Sequence, residues 1–102
     1  MAKLLVLYPP PVDPAAFERH YRDVHLPLAA RLPGATAMSA ALGIDAAGSP
    51  YYAVFEAEFP SLDALGVAMA SPEGQAVEAD VPNYATGGAI VLAYEPEPVE
   101  RS

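Results

Sequence analysis

The sequence predicts one α+β domain whose elements run βαββαβ. Three observations carry that reading. Short apolar runs rich in strand formers stand near both ends and in the middle of the 102 residues. Two cap-plus-proline signatures, Asp13-Pro14 and Ser71-Pro72, open helical patterns between those runs. Pro33-Gly34 and Gly87-Gly88 punctuate the chain where strands should begin. The length suits one domain, and no internal repeat divides it.

The first strand is Leu4 to Tyr8, stopped by Pro9, Pro10 and Pro11. A helix follows from Asp13-Pro14 to about Val24 or beyond. Phe17, Tyr21, Val24 and Leu28 recur at helical spacing and define its buried stripe. Pro27 lacks an amide hydrogen and crowds the carbonyl four residues back, so the helix should kink or restart near His25. Ala35 to Ile44 is the second strand, weakly patterned because alanine fills it, and Asp45 to Pro50 reads as a hairpin loop.

Tyr51 to Phe59 is the clearest strand. Tyr51, Ala53, Phe55, Ala57 and Phe59 should face one way, and Tyr52, Val54, Glu56 and Glu58 the other. Ser61 caps a helix carrying Leu62, Leu65 and Met69. Ser71-Pro72-Glu73 opens another with Ala76, Val77 and Val81, which Pro82-Asn83 should end. Ala89 to Tyr94 is the last strand. The domain is expected to span 1–95, with 96–102 as a flexible tail containing Pro96 and Pro98.

This order, with its second helical segment split in two, is the ferredoxin-like split βαβ arrangement: a four-stranded antiparallel sheet with helices on one face. The other face must be covered. On the third strand that face is half apolar, so two sheets meeting face to face would bury it and enclose a cavity. The expected assembly is therefore a homodimer, a dimeric α/β barrel.

Composition excludes several functions. Hydrophobic residues make up 53% and charged residues 18%, too apolar for disorder. The net charge is −8, and five basic residues cannot build a basic face, so neither nucleic acid nor an anionic membrane is an expected partner. There is no cysteine, which removes disulfides, thiolate nucleophiles and zinc–sulfur sites. The apolar run after Lys3 is too short for a signal sequence, and no stretch approaches the ~20 residues of a membrane span. A cytoplasmic protein is the expectation.

The informative segment is Phe17 to Ala29, which holds both histidines of the chain. At roughly 100° per residue, Tyr21 and His25 share a face one turn apart, and His20 falls on the other edge of the stripe. On a regular helix the two imidazoles would flank the stripe, and residues five apart could not hold one metal; no metal is expected. There is no glycine-rich phosphate loop and no paired-histidine zinc motif.

Phe17, the pair His20-Tyr21, then His25-Leu26-Pro27-Leu28 and Pro33-Gly34 resemble the EthD-like family of the dimeric α/β-barrel superfamily. The resemblance extends through the strand order, the tyrosine-led third strand, the Ser71-Pro72-Glu73-Gly74 helix start and the Asn83 region. The family takes its name from a gene set for ether-fuel degradation. Relatives in the superfamily include lactone isomerases and polyketide cyclases, which move protons in a pocket between sheet and helices without a cofactor.

The resemblance implies a catalytic role for His25 first and Tyr21 second, and no cofactor. Histidine suits proton transfer because its unperturbed pKa lies near neutrality, and the Tyr21 hydroxyl could orient a carbonyl or phenolate. His20, Tyr52, Glu56 and Asn83 are the candidate substrate-binding residues. A lactone-isomerase relative uses a cysteine that this chain lacks. Burial between the sheet and Tyr21 should lower the His25 pKa, with Asp23 the nearby anion that would oppose it.

Two functions fit. One is a cofactor-free isomerase, cyclase or dehydratase acting by proton transfer on a small cyclic or aromatic metabolite. The other is a non-catalytic binding or auxiliary protein of a degradative oxygenase pathway. Both hold a small hydrophobic or aromatic ligand in the same pocket.

Overall fold

A computed structural model describes residues 1–44 and 48–101. The expected loop from Asp45 to Pro50 thus lies partly outside the described residues. Strand β1 (Ala2–Tyr8) is central, flanked by β3 (Ala53–Phe59) and β4 (Ile90–Tyr94), and β2 (Ala37–Leu42) pairs with the far edge of β3. All three pairings are antiparallel, in the order β2-β3-β1-β4. With helices between β1 and β2 and between β3 and β4, this is the ferredoxin-like βαββαβ fold. No helix among the described residues is long and apolar enough to cross a membrane.

Register sorts the side chains. Ala2, Leu4, Val6 and Tyr8 lie opposite Phe59, Ala57, Phe55 and Ala53, and this face meets the helices. The intervening residues Leu5 and Leu7 lie opposite Glu56 and Val54 on one side and Leu92 and Ile90 on the other. They form an outer face with no helix over it among the described residues. Lys3 sits on that face, its Nζ 3.7 Å from Glu58 Oε1.

The helices begin where their caps dictate. Asp13 Oδ1 accepts from the Ala16 amide at 3.1 Å to open α1 (Pro14–His20). Ser61 Oγ accepts from Ala64 at 3.0 Å to open α3 (Leu62–Ala70), and Ser71 Oγ accepts from Gly74 at 3.1 Å to open α4 (Pro72–Tyr84). Gly74 is required at the α3–α4 corner: a Cβ there would collide with the Ala68 and Met69 carbonyl oxygens.

Three differences from the expected elements matter for function. First, the disturbance expected near His25 is a π turn, Tyr21–His25, between α1 and the short α2 (Leu26–Ala29). The Leu26 amide reaches five residues back to the Tyr21 carbonyl. The wider turn makes the room that the Pro27 ring needs. Second, α4 does not stop at Pro82 but continues through Asn83 to Tyr84. Proline there removes one late hydrogen bond, from an exposed turn at Glu78. The Ala85 amide still closes on Val81 at 2.9 Å. Third, Tyr52 precedes β3 rather than alternating within it. Its buried ring turns inward, edge-on to Phe17 at 5.2 Å.

Candidate functional site

The π turn changes which residues meet. Hydrogen bonds spanning five residues stack positions five apart, as His20 and His25 are. Both imidazoles consequently reach the same partner on α4, correcting the expectation that they flank the stripe. His25 Nδ1 lies 2.9 Å from Asp80 Oδ2, and His20 Nε2 lies 2.8 Å from Asp80 Oδ1. Asn83 Nδ2 donates to the same Oδ1 at 3.0 Å. Tyr84, one turn beyond Asp80, packs between the imidazoles, 4.6 Å from the His25 ring and 5.6 Å from that of His20.

Burial fixes the chemistry of this cluster. Asp80 is 6% exposed and His25 3%. Burial pushes the Asp80 carboxyl up, but hydrogen bonds from Asn83, His20 and His25 outweigh it and hold the group below its ordinary value. Asp80 is therefore an anion that accepts. His25 must donate its Nδ1 proton to it, which leaves Nε2 as an unprotonated lone pair. That nitrogen has no partner among the described residues. Burial lowers the His25 pKa, against the hydrogen bond and charge of Asp80, which raise it, and with the help of His20. The shift has the expected direction and cause, but the opposing anion is Asp80 on α4, not Asp23.

His25 stands at a cleft of about 70 Å³ between the sheet and the helices. Its walls are apolar, built from Leu4, Phe55, Met69 and Val91 among others, with Tyr8 beside His25 and Glu78 on α4. The volume is about half the roughly 150 Å³ that accommodates a benzene ring. Met69, unbranched and adaptable, is the wall residue best able to give way.

The tyrosines form the floor behind this base. Tyr21 is fully buried, and its ring stacks on His25 at 5.4 Å and on Phe17 at 5.3 Å. Its hydroxyl has no hydrogen-bond partner among the described residues, although the nearby Tyr8 phenol affects it. Tyr8 and Tyr84 share a hydrogen bond at 2.8 Å. Burial pushes all three phenols well above their ordinary value, so they are donors, not bases.

Of the expected site residues, His25 alone lines the cleft. Tyr21 supports its ring, and His20 and Asn83 meet at Asp80 behind it. Tyr52 lies further back, against Phe17. Glu56 is on the opposite face of the sheet, beside Lys3, Ser39 and Glu58. Asp80, Tyr8 and Tyr84 are not among the expected residues. A signal for Asp80 is present: Val77, Asp80, Val81 and Tyr84 recur at helical spacing, which sets one carboxylate on an apolar stripe. Ending the helix at Pro82 hides it.

Comparison with known proteins agrees with this architecture. The EthD domain family model matches residues 9–88. An uncharacterized 11.0 kDa protein from the thcB-thcC intergenic region of Rhodococcus erythropolis is 39% identical over 101 residues, covering 97% of this chain and 98% of that one. Among solved structures, an EthD family protein of Bacillus halodurans superposes with a TM-score of 0.87 at 29% identity, covering 95% of this chain and 99% of that one. An EthD-like protein of Ralstonia eutropha superposes with a TM-score of 0.71 at 26% identity, covering 99% and 95%. The chain belongs to the EthD family.

Proposed function

We propose that this protein binds a small hydrophobic or aromatic metabolite in the cleft and moves a proton on it without a cofactor, as an isomerase, cyclase or dehydratase does. The observation that carries the reading is the His25–Asp80 pair. A buried carboxylate fixes the imidazole tautomer so that Nε2 is unprotonated, on a histidine that lines an apolar cleft. A low pKa keeps that nitrogen neutral at pH 7, the state a general base needs. His25 is the catalytic base in this proposal. Asp80 orients it, His20 and Asn83 orient Asp80, and Tyr21 acts through the His25 ring. Tyr8, which lines the cleft and whose hydroxyl is bonded to that of Tyr84, takes the role of donor to a substrate oxygen.

The active form is a homodimer, in the cytoplasm. Leu5, Leu7, Val54, Ile90 and Leu92 share an outer sheet face that no helix of the described residues covers, and Ile90, Leu92 and Tyr94 are exposed. A second copy of that face is the natural cover, burying roughly 2,000 Å² or more in total.

Mass spectrometry of ligand co-purifying with the native protein identifies the molecule to test. Turnover of that molecule or a close relative is expected, lost in His25→Ala while binding persists. Binding without turnover by the wild type would instead make the protein an auxiliary carrier. Turnover unchanged in His25→Ala would remove His25 from the chemistry.

A further inference from the structure

The polar residues that line the cleft are neutral or anionic. Tyr8 and His25 are neutral donors or acceptors, and Glu78 brings a negative charge to the rim, where it is exposed. Among the described residues no cation lines the cleft. Lys3 is on the outer sheet face beside Glu58, and Arg22 is 3.8 Å from Glu18 on the helix surface. Arg19 lines a surface pocket with His20, and Arg31 lines another with Pro72 and Glu73. Arg101 is in the exposed segment after β4. One further feature adds negative potential: Asp80 stands directly behind His25.

We propose that the cleft selects uncharged ligands and that Glu78 is the residue that rejects anions. This rests on the reading of the cleft as the ligand site. A carboxylate entering it would lose its water and find no donor of positive charge, while facing Glu78 at the rim and Asp80 behind the base. An uncharged carbonyl compound or phenol meets neither obstacle, and its apolar body matches the walls. The acid whose proton His25 takes is then a neutral one. For a ketone, the α C–H bond breaks and its electron pair stays on the substrate as an enolate. The proton goes to Nε2, so the new anion forms beside an imidazolium that Asp80 in turn stabilises. Charge appears only in the course of the reaction, where a matched pair already exists to meet it.

The test uses two probes of like size, acetophenone and benzoate, titrated into the full-length protein and followed by NMR at the His25 ring and the cleft methyl groups. Glu78→Lys is the variant, because the side chain is exposed and its replacement leaves the packed core intact. The wild type should bind acetophenone at least tenfold more tightly than benzoate. Glu78→Lys should improve benzoate at least tenfold and leave acetophenone within about twofold. Equal binding of the two probes by the wild type, or no gain for benzoate in Glu78→Lys, overturns the charge selection alone. Failure of both probes, and of the smaller acetone and acetate, to reach the cleft overturns the ligand-site reading and this selection with it.

Discussion

Replacing Asp80 with asparagine removes a charge while keeping the shape, and it should switch the tautomer of His25. Asp80 accepts three hydrogen bonds, at 2.8 Å from His20, 2.9 Å from His25 and 3.0 Å from Asn83. Asparagine can offer one acceptor oxygen. If that oxygen stays with His20 and Asn83, its amide NH2 faces His25 Nδ1, which must then accept instead of donate. The proton moves to Nε2, and the lone pair facing the cleft is lost. Hydrogen bonds to a charged group each contribute about 1.5–3 kcal/mol, against about 1 kcal/mol for neutral ones. Relief from burying a carboxylate offsets part of that loss, leaving a net cost of about 1–3 kcal/mol. Loss of a general base should slow any turnover by about 10²- to 10⁴-fold. Urea denaturation gives the stability change, and long-range ¹H–¹⁵N correlation spectra of the histidine rings give the tautomer. An Asp80→Asn protein of unchanged stability, with His25 still protonated on Nδ1, would show that Asp80 does not govern the imidazole.

Stability should fall on mild acidification. The native His25 pKa is lowered from 6.5, so below that pH the unfolded chain takes up a proton the native one resists; the stabilisation is complete above 6.5 and is lost as pH falls through the lowered value. Asp80, lowered from 3.8, adds a second loss as pH falls through its own native value; a urea midpoint that stays level from pH 7 to pH 3 would contradict both. The buried Tyr21 hydroxyl has no partner among the described residues, so Tyr21→Phe should keep or raise stability by up to about 1 kcal/mol, whereas Tyr8→Phe strands the Tyr84 hydroxyl and should cost about 1–3 kcal/mol. Thermal unfolding of the two variants decides between that ranking and its reverse. Leu92→Glu places a charge on the uncovered sheet face and should yield a folded monomer in sedimentation; a dimer of wild-type affinity would show that the copies associate elsewhere.

Strand order and helix starts were legible because their signals are local. Asp13-Pro14, Ser61 and Ser71-Pro72 each carry a cap whose side chain bonds the expected amide. The alternation of Ala53, Phe55, Ala57 and Phe59 fixes the buried face of β3. Pro27 announced a disturbance near His25 but not its form. A kink, a restart and a π turn relieve the same clash, and only the π turn brings His20 and His25 to one carboxylate. The site was half legible for a related reason. His25 stands in a recognisable motif, whereas Asp80 lies 55 residues away and meets it only through packing of α4 against the π turn. Tyr52 shows the limit of a period-two pattern: it holds only where the strand exists, and β3 begins one residue later.

Everything proposed for the site depends on His25 presenting a neutral, unprotonated Nε2 to the cleft because Asp80 holds its other nitrogen. A pH titration of ¹⁵N-labelled wild-type protein, following both His25 ring nitrogens, reads that state without any ligand. The Nδ1–H tautomer is expected at pH 7, with a midpoint below 6.5. An Nε2–H tautomer at that pH, or a ring already doubly protonated there, would remove the base from the cleft and the proposed chemistry with it.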